Sequence, residues 1–342
     1  MNNFFNNYKN KNKVFIIAEI GNGHLNNLKR IYKLINIASL AGADAIKFQI
    51  FSADEVATTN KKYNKIKKYP YNLYERWKKM ELHRDYFKKI LKYCKKRKII
   101  FMCSVFGLKS LEITKKFNSI IKITSFDLNY FELLDEAVKL KKPILLSTGI
   151  SDEKEIKKTI KYLRSKKFNN FSIMHCGSSY PLKFEEANLK YILRLKKLYP
   201  NLVLGYSDHT LNISSPIAAV ALGARVIEKH ITISKKDKFP DAFFSLEYKE
   251  LKEMIKNIRE VEKSLGIPVK KITKSINKNK IAMRSYYSNY DLKKNTKTKK
   301  GMFKALRPRI KGSLNIEEIH YFLNRRLAKG IRKNEVLTKK HF

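Results

Sequence analysis

Eight short runs of apolar and β-branched residues recur along the chain, and they limit its possible folds more than any other feature. Several are apolar almost throughout, which is typical of parallel strands covered on both faces. We predict that each run is one strand of a parallel sheet. The runs are Val14–Ile20, Ala45–Phe51, Ile99–Phe106, Ile120–Thr124, Ile144–Ser147, Phe171–Cys176, Leu202–Tyr206 and Val226–Ile231.

The intervals between these runs carry the period of amphipathic helices, as in the stripe from Leu28 to Ala38 and the stripe from Leu251 to Leu265. Eight strand–helix units over about 250 residues are the number and length of a closed (β/α)₈ TIM barrel, whereas doubly wound sheets have fewer strands. We therefore predict an α/β fold with a TIM-barrel domain over residues 1–266. The sequence lacks both the G-x-G-x-x-G turn of dinucleotide sites and the phosphate-binding P-loop, which excludes those two classes.

The chain changes character after Gly266. Residues 267–280 are rich in Lys and Asn, and we predict that they form a linker. Residues 281–342 show short strand-like runs with turns and one helix starting near Asn315. They are too few to form more than a small, mostly-β accessory domain.

The chain is strongly basic, with 74 Lys and Arg against 30 Asp and Glu, a net charge of +44. Such a positive charge is typical of proteins that bind nucleic acid. The excess is spread over almost every segment, however, and lysines such as Lys88, Lys92 and Lys95 fall on predicted helix faces where solvation alone accounts for them. No sequence motif of a nucleic-acid-binding fold is present, so a basic nucleic-acid-binding protein stays only an alternative.

The three cysteines, Cys94, Cys103 and Cys176, are an odd number with wide spacing, which argues against a disulfide framework and favours a reducing, cytoplasmic location. The N-terminal residues 1–13 are polar and Asn-rich, without the apolar region of a signal peptide. Apolar runs long enough to span a membrane are absent from the sequence. We expect a soluble protein with no membrane partner.

Polar residues cluster where the predicted strands end, which is where a barrel enzyme builds its active site. Lys47 and Lys122 supply charge, and the hydroxyl groups supply directed hydrogen bonds, as a pocket for a phosphate or carboxylate requires. Inward-facing lysines are costly unless an anion pairs with them. The ring of strand-end residues is Glu19, Lys47, Gln49, Ser104, Lys122, Ser125, Ser147, Thr148, His175, Ser178, Tyr180, Ser207, Asp208, His209, Glu228, Lys229 and His230.

His209 and His230 end two successive strands, so their imidazoles should lie a few ångströms apart at the barrel mouth. Two histidines with the remaining coordination positions open are typical of a catalytic metal site. We predict that the pair binds one divalent metal ion. A metal-dependent barrel hydrolase is a further alternative, although that class usually has an H-x-H after the first strand and only His24 is present here.

These motifs resemble the sialic acid synthase family, which joins phosphoenolpyruvate to an N-acylated amino sugar and releases phosphate to form a nonulosonic acid. GYSDHT followed by EKH is the most specific part of the resemblance. The tail pieces MRSYYSNYDLKKN (283–295), ALRP (305–308) and RLAKGIRKNEVLT (326–338) resemble the antifreeze-like (SAF) domain of that family. The matching barrel segments are FIIAEIGNGH (15–24), AGADAIKFQ (41–49), KITSFDLN (122–129), KPILLSTG (142–149), HCGSSYPL (175–182), GYSDHT (205–210), AAVALGARVIEKHIT (218–232) and PDAFFSLE (240–247).

The resemblance implies a role for each site residue. His209 and His230 would hold the metal, usually Mn²⁺, with Mg²⁺ and Co²⁺ as alternatives, and Glu19 or Asp241 would activate the attacking water. It also implies a homodimer in which the SAF domain of one subunit covers the barrel mouth of the other. The phosphoenolpyruvate-binding residues would be Lys47, Ser104, Lys122, Ser125, Ser147, Ser178 and Ser207, and the sugar-binding residues Gln49, Asp127, Tyr180, Asp241 and Arg307.

The identity of the sugar stays open at this stage. Asp127 stands where the family usually has Glu, which shortens one presumed sugar contact. The loop PDAFFS lacks the His of N-acetylneuraminate synthases and is closer to the loop of pseudaminic acid synthases. Ala242, Phe243 and Phe244 therefore favour a 6-deoxy sugar such as a 2,4-diacetamido-trideoxyhexose over N-acetylmannosamine.

Overall fold

The computed structural model describes residues 4–10, 13–64, 72–117 and 119–342, so parts of the polar N-terminal segment lie outside the described residues. The chain divides into two compact units, Met1–Gly266 and Ile267–Phe342. Each unit is described by itself below.

The first unit contains a closed barrel of eight parallel strands in sequential order, and the predicted TIM barrel is confirmed. The seventh strand begins one residue later than predicted and continues for two more residues, which brings Ser207 and Asp208 into the hydrogen-bonded ladder. The strands are β1 Phe15–Glu19, β2 Ala45–Ile50, β3 Ile100–Val105, β4 Ile120–Ile123, β5 Ile144–Ser147, β6 Phe171–Cys176, β7 Val203–Asp208 and β8 Val226–His230.

Helices surround the barrel and bury its outer surface. The helix from Leu28 to Ala41 begins where the Asn27 side chain accepts from the Arg30 N–H, and it ends at Gly42 with a left-handed φ of 93°. The helices of this unit are α1 Phe4–Asn10, α2 Leu28–Ala41, α3 Ala53–Val56, α4 Leu73–Met80, α5 Tyr86–Lys96, α6 Leu108–Thr114, α7 Phe131–Lys139, α8 Glu153–Ser165, α9 Tyr191–Leu198, α10 Ser214–Ala221 and α11 Tyr248–Leu265. Among the described residues, none of the helices is both long and apolar enough to cross a membrane.

The barrel has two apolar clusters, one on each side of its wall. The outer cluster fills the layer between strands and helices, with members such as Ile16 and Phe48 on strands and Leu34 and Leu251 on helices. The inner cluster fills the lower part of the barrel and includes Phe5, Phe15, Ile17, Met102, Leu145 and Met174. Apolar side chains thus fill the half of the interior near the amino-terminal ends of the strands. The inward-facing polar residues lie in the other half, near the carboxyl ends.

Helix α1 closes the amino-terminal end of the barrel. This helix was not predicted from the sequence. Phe5 is fully buried in the inner cluster, and Phe4 and Tyr8 pack at its edge. The rings of Phe4 and Phe15 meet edge to face with centroids 5.5 Å apart. Seven residues lie below the length at which an isolated helix is stable, so packing against the barrel holds α1 in place.

The second unit contains a short helix α12, Lys274–Lys278, and an antiparallel pair, β9 Ser285–Ser288 with β10 Phe303–Leu306. The predicted helix near Asn315 is a 3₁₀ helix, Ile316–Phe322, and α12 lies inside the segment predicted to be a linker. A small apolar cluster forms the core of this unit. Its members are Phe303, Leu314, Leu327, Ile331 and Leu337. The identification of this unit as an SAF domain stays a prediction.

The position of Phe5 leads to a prediction about stability. Phe5→Ala should lower the free energy of unfolding by about 3 kcal/mol, because it empties a fully enclosed site at the base of the barrel. Urea denaturation followed by circular dichroism measures the change. Asn6→Ala, on the exposed side of the same helix, is the matched control and should have an effect near zero. Equal effects of the two substitutions would show that α1 does not close the barrel.

Candidate active site

The alternation of side chains along each strand determines which polar residues face the barrel interior. On β1, Phe15 and Ile17 belong to the inner cluster, so Glu19 also faces inward, one layer higher. The strand register then sets neighbouring side chains at one level, because Glu19 pairs with Lys47 on β2 and with His230 on β8. The upper interior of the barrel is thus lined by polar and charged groups.

One cleft at the carboxyl ends of the strands gathers most of the predicted site residues. It also contains Thr124, Phe126 and Cys176, which were not predicted, and Glu228, which was predicted as a strand-end residue but without a specific role. Of these, Glu228 could have been assigned from sequence, since it lies two residues before His230 and therefore on the same face of its strand. The predicted residues that line the cleft are Glu19, Lys47, Gln49, Ser104, Lys122, Ser125, Ser147, Tyr180, Ser207, His209 and His230.

Two lysines and two carboxylates form a buried network at the floor of this cleft. Lys47 Nζ lies 2.7 Å from Glu19 Oε2 and 3.5 Å from Glu228 Oε1. Lys122 Nζ lies 2.8 Å from Glu228 Oε2, so Glu228 joins the two cations. Lys47 also donates to Ser104 Oγ at 2.8 Å, and the Ser207 hydroxyl donates to Glu228 Oε1 at 2.9 Å.

Burial and pairing act in opposite directions on these charges. For Glu228, burial favours the neutral form, but Lys122 and Lys47 outweigh it and hold the pKa of its carboxyl well below the usual range. For Lys122, burial dominates and lowers the pKa despite the attraction of Glu228. Burial also raises the pKa of Glu19, because Lys47 compensates for the lost hydration only in part. The floor of the cleft thus holds a firmly ionised Glu228 and a Glu19 that takes up a proton more readily than an ordinary glutamate.

Hydroxyl and thiol groups line the wall of the cleft around Gly149. The Gly149 N–H donates to Ser125 Oγ at 2.9 Å. A Cβ at this position would lie 2.2 Å from Ser178 Oγ and 2.7 Å from Cys176 Sγ, so only glycine leaves room for these groups. Ser178 Oγ is buried and makes no hydrogen bond to any described residue. A buried hydroxyl without a protein partner is a group ready to donate to a ligand.

His209 and His230 lie side by side at the rim, with ring centroids 5.5 Å apart. The Nδ1–H of His209 donates to the Gly177 carbonyl at 2.7 Å, so its Nε2 keeps a free lone pair. His230 Nδ1 is buried, makes no hydrogen bond to a described residue, and lies 3.8 Å from Asp241 Oδ2. Phe244 packs against both rings. The two histidines therefore present unprotonated nitrogen atoms within one small volume.

Burial keeps both imidazoles neutral near pH 7. It lowers the pKa of His209 to about 4, and it lowers the pKa of His230 well below the usual value, with repulsion from His209 in addition. Burial also raises the pKa of Asp241 to about 6, and the nearby Glu19 adds to this effect. Neutral imidazole is the form that coordinates metals. Within the described part of the chain, however, no group of three or more His, Cys, Asp and Glu side chains is arranged around one point.

Several strand-end residues lie outside the cleft lining. His175, Asp208 and Lys229 are buried on the outer side of the barrel wall, where His175 contacts the Ala187 carbonyl and Lys229 pairs with Asp208. Inclusion of these three in the polar ring was therefore wrong, because each is one residue out of phase with the inward-facing positions. The carboxylate of Asp127 accepts from Thr124 Oγ1 at 2.6 Å and does not line the cleft. Arg307 is exposed in the second unit.

A larger cavity of about 380 Å³ lies beside the barrel, lined in part by Phe51, Leu82 and Phe87. It contains none of the predicted site residues. We assign the active site to the smaller cleft, because there the charged and hydroxyl groups converge at the carboxyl ends of the strands.

Fold and site together are those of a barrel enzyme whose cleft sets two buried lysines beside a pair of neutral imidazoles. Residues 34–270 match the NeuB family. A pseudaminic acid synthase of Campylobacter jejuni is 33% identical over 98% of both chains. An N,N'-diacetyllegionaminic acid synthase of the same organism is 36% identical over 95% of this chain and 99% of the relative.

A solved structure agrees with these relatives. The N-acetylneuraminic acid synthetase of Leptospira borgpetersenii, in complex with citrate, is 32% identical, covers 78% of this chain and 90% of its own, and has a TM-score of 0.71. The chain belongs to the NeuB family, which confirms the sialic acid synthase family recognised from the motifs. The relatives support a synthase over the nucleic-acid-binding protein and the hydrolase considered above.

The raised pKa of Asp241 leads to a prediction about stability and pH. The pKa of this carboxyl is about 6 in the folded protein and about 3.8 in the unfolded chain. The free energy of unfolding therefore falls as the pH rises through this interval. In chelator-containing buffer, Asp241→Asn should therefore exceed the wild type in free energy of unfolding by up to about 3 kcal/mol at pH 7.5, and the difference should vanish near pH 4. Urea denaturation at the two pH values measures it.

Asp237→Asn is the matched control for this experiment. Burial opposes the charge of Asp237 as well, but its hydrogen bond and ion pair with Arg30 outweigh burial and lower the pKa of its carboxyl. This variant should be less stable than the wild type at pH 7.5, so the change in its free energy of unfolding has the opposite sign to that of Asp241→Asn. A gain for Asp241→Asn that is the same at both pH values would contradict the prediction.

Proposed function

We propose that this protein is a nonulosonic acid synthase that condenses phosphoenolpyruvate with an N-acylated amino sugar and releases phosphate. The observation that carries the proposal is the arrangement at the barrel mouth, where two buried lysines and several hydroxyls adjoin two neutral histidines. Membership in the NeuB family supports the same reaction. It is a carbon–carbon bond-forming transferase reaction.

Phosphoenolpyruvate would bind at the floor and wall of the cleft. Lys47 and Lys122 supply positive charge, and the free Ser178 hydroxyl supplies a hydrogen-bond donor. The other residues of this subsite would be Ser104, Ser125, Ser147 and Ser207.

The residues present fit a divalent metal ion, for which Mn²⁺ is our choice. His209 and His230 would hold it, since both imidazoles are neutral. The lone pair of His209 Nε2 is free, and His230 Nδ1 makes no hydrogen bond to a described residue. Bound there, a divalent ion would supply Lewis-acid polarisation of the sugar aldehyde. Asp241, next to His230, is placed to orient that ligand or the sugar.

Glu19 is our candidate for the group that takes a proton from the water that adds at carbon 2 of phosphoenolpyruvate. Gly21 N–H donates to its Oε1 at 2.9 Å, and Lys47 fixes its Oε2, so the carboxylate is held in one orientation. Burial raises its pKa, which makes this carboxylate a stronger base than that of an ordinary glutamate. Asp241 is the second candidate, with its pKa of about 6. Fixing both substrates in the cleft adds the entropic advantage of orientation.

We propose a 2,4-diacetamido-trideoxyhexose as the preferred sugar. Ala242 and Phe244 are buried beside the histidines, while Phe243 is half exposed, so this loop offers apolar surface where a hydroxyl-binding group would be needed for N-acetylmannosamine. Gln49 and Tyr180 line the cleft and would bind the sugar, with Asp127 and Asp241 nearby in the loops. The names of the two Campylobacter relatives are in keeping with this choice.

The test is phosphate release from phosphoenolpyruvate and Mn²⁺, measured in parallel with N-acetylmannosamine and with each 2,4-diacetamido-trideoxyhexose. We expect sugar-dependent release that is fastest with a trideoxy sugar and stops in chelator. His209→Ala and His230→Ala should abolish release while leaving the circular dichroism spectrum unchanged, because both side chains lie at the rim. No release with any of the sugars would refute the function. Preference for N-acetylmannosamine would refute only the argument from the apolar loop.

We further propose a cytoplasmic homodimer in which the second unit of one subunit covers the barrel mouth of the other. Large apolar side chains are exposed on the loops that follow the barrel strands, which supports a covering partner. All three cysteines are unpaired, as is usual in a reducing compartment. The exposed rim residues are Phe126, Ile150, Phe184, Leu211 and Phe243.

In this arrangement Arg307 of one subunit contacts the acyl group of the sugar bound by the other. Arg307→Ala should raise the KM for the sugar much more than the KM for phosphoenolpyruvate, since the contact is made to the sugar alone. Steady-state kinetics with each substrate varied in turn measures both constants. Lys311→Ala, an exposed cation on the same segment, is the control and should change neither. Equal changes in both KM values would remove Arg307 from the sugar site.

A further inference from the structure

A fully buried ion pair lies directly behind the two histidines, on the outer side of the barrel wall. Asp208 and Lys229 pair in register on β7 and β8, and both side chains have no exposed surface. Lys229 Nζ lies 2.5 Å from Asp208 Oδ2. His209 follows Asp208 in the chain and His230 follows Lys229. The pair therefore joins the backbones of the two strands at the positions next to both imidazoles.

The Asp208 carboxylate also organises the backbone on both sides of His209. Its Oδ1 accepts from the Tyr206 hydroxyl at 3.0 Å and from the Thr210 N–H at 3.1 Å. Its Oδ2 accepts from Thr210 Oγ1 at 3.1 Å. Lys229 in turn donates to the Thr210 carbonyl. Residues before and after His209 are thus tied to one carboxylate, and that carboxylate is tied to the residue before His230.

Stability alone is a poor explanation for this pair. Its neighbours in the wall include Ile227 and Leu204, which belong to the outer apolar cluster. Replacing a buried ion pair by apolar residues of similar volume is often neutral or stabilising, because the two charges lose their hydration. The pair is costly to bury, but it holds the ends of β7 and β8 in register. Its main contribution is therefore the relative position of the two strand ends and not folding energy.

We propose that Asp208 and Lys229 are positioning residues that set the separation and orientation of His209 and His230, and thereby the affinity of the site for a divalent ion. This inference rests on the metal site of the proposed function. Neither residue lines the cleft, so they act on the site from behind, by holding the strand ends and through the field of their charges. Partners behind metal ligands typically change metal affinity 10- to 100-fold when they are removed.

The experiment uses the full-length protein with Asp208→Asn and Lys229→Met combined, so that no unpaired charge is left in the wall. Binding of Mn²⁺ alone is measured by electron paramagnetic resonance of the free ion. We expect the double variant to fold and its Kd for Mn²⁺ to rise at least about tenfold. The visible spectrum of bound Co²⁺ should also change, because the two nitrogen ligands are no longer held at the same separation.

A matched control removes another ion pair of the same unit, between helix α11 and the residue before β2. Arg259 Nη2 lies 3.1 Å from Asp44 Oδ2 at the amino-terminal end of the strands, far along the wall from the histidines. Asp44→Asn with Arg259→Met should lower the melting temperature and leave the Kd for Mn²⁺ and the Co²⁺ spectrum unchanged. A purely structural role for Asp208 and Lys229 would make the two double variants behave alike.

Tyr206→Phe is a milder second variant, which removes one donor to Asp208 and keeps the charge pair. It should raise the Kd for Mn²⁺ in the same direction by a smaller factor, and it decides the question if the double variant does not fold. An unchanged Mn²⁺ affinity in every variant that folds overturns the inference while leaving an active wild type and its proposed function intact. A wild-type protein that does not bind Mn²⁺ overturns both the metal assignment and this inference.

Discussion

Compensation of buried charge is the constraint on which the upper half of the barrel depends. Lys47, Lys122, Glu19 and Glu228 lie inside the wall with almost no exposed surface, and Asp208 and Lys229 lie within it. An isolated ion in such surroundings would give up its charge, since desolvation disfavours the ionised form. Each charged group therefore has an opposite charge on another strand. The partner lies on the next strand for Glu19 with Lys47 and for Asp208 with Lys229, and across the barrel for Lys122 with Glu228.

The alternation of side chains explains what could be predicted from the sequence and what could not. Apolar runs identified all eight strands, because strands covered on both faces carry a continuous apolar signal. Strand ends located Lys47, Lys122 and the two histidines. The same reasoning wrongly included His175, Asp208 and Lys229, since proximity to a strand end does not say on which side of the wall a residue lies. Helix α1 was missed because Phe4 and Phe5 are its main apolar residues, and their role appears only once a barrel end is available to cover.

The roles of Glu228 and Asp127 show a second limit of prediction from the sequence. Glu228 has a function only as the link between two lysines that come from β2 and β4, which are far apart in sequence. Nothing near Glu228 in the chain reveals that link. Asp127 satisfies its carboxylate with the hydroxyl of Thr124, three residues away. A local hydrogen bond of this kind competes with any longer-range role, and sequence pattern alone does not decide between them.

The charge network also sets which groups in the cleft are ionised. Without Glu228, the two lysines would face each other across a desolvated pocket, and the already lowered pKa of Lys122 would fall further. Glu228 keeps them charged before the substrate arrives, at the cost of part of the attraction they offer to an anion. Burial raises the pKa of Glu19 in the same network, so its charge is held less firmly than that of Glu228. Glu228 therefore keeps the lysines of the cleft charged, and the two neutral histidines at the rim add no further charge to be compensated.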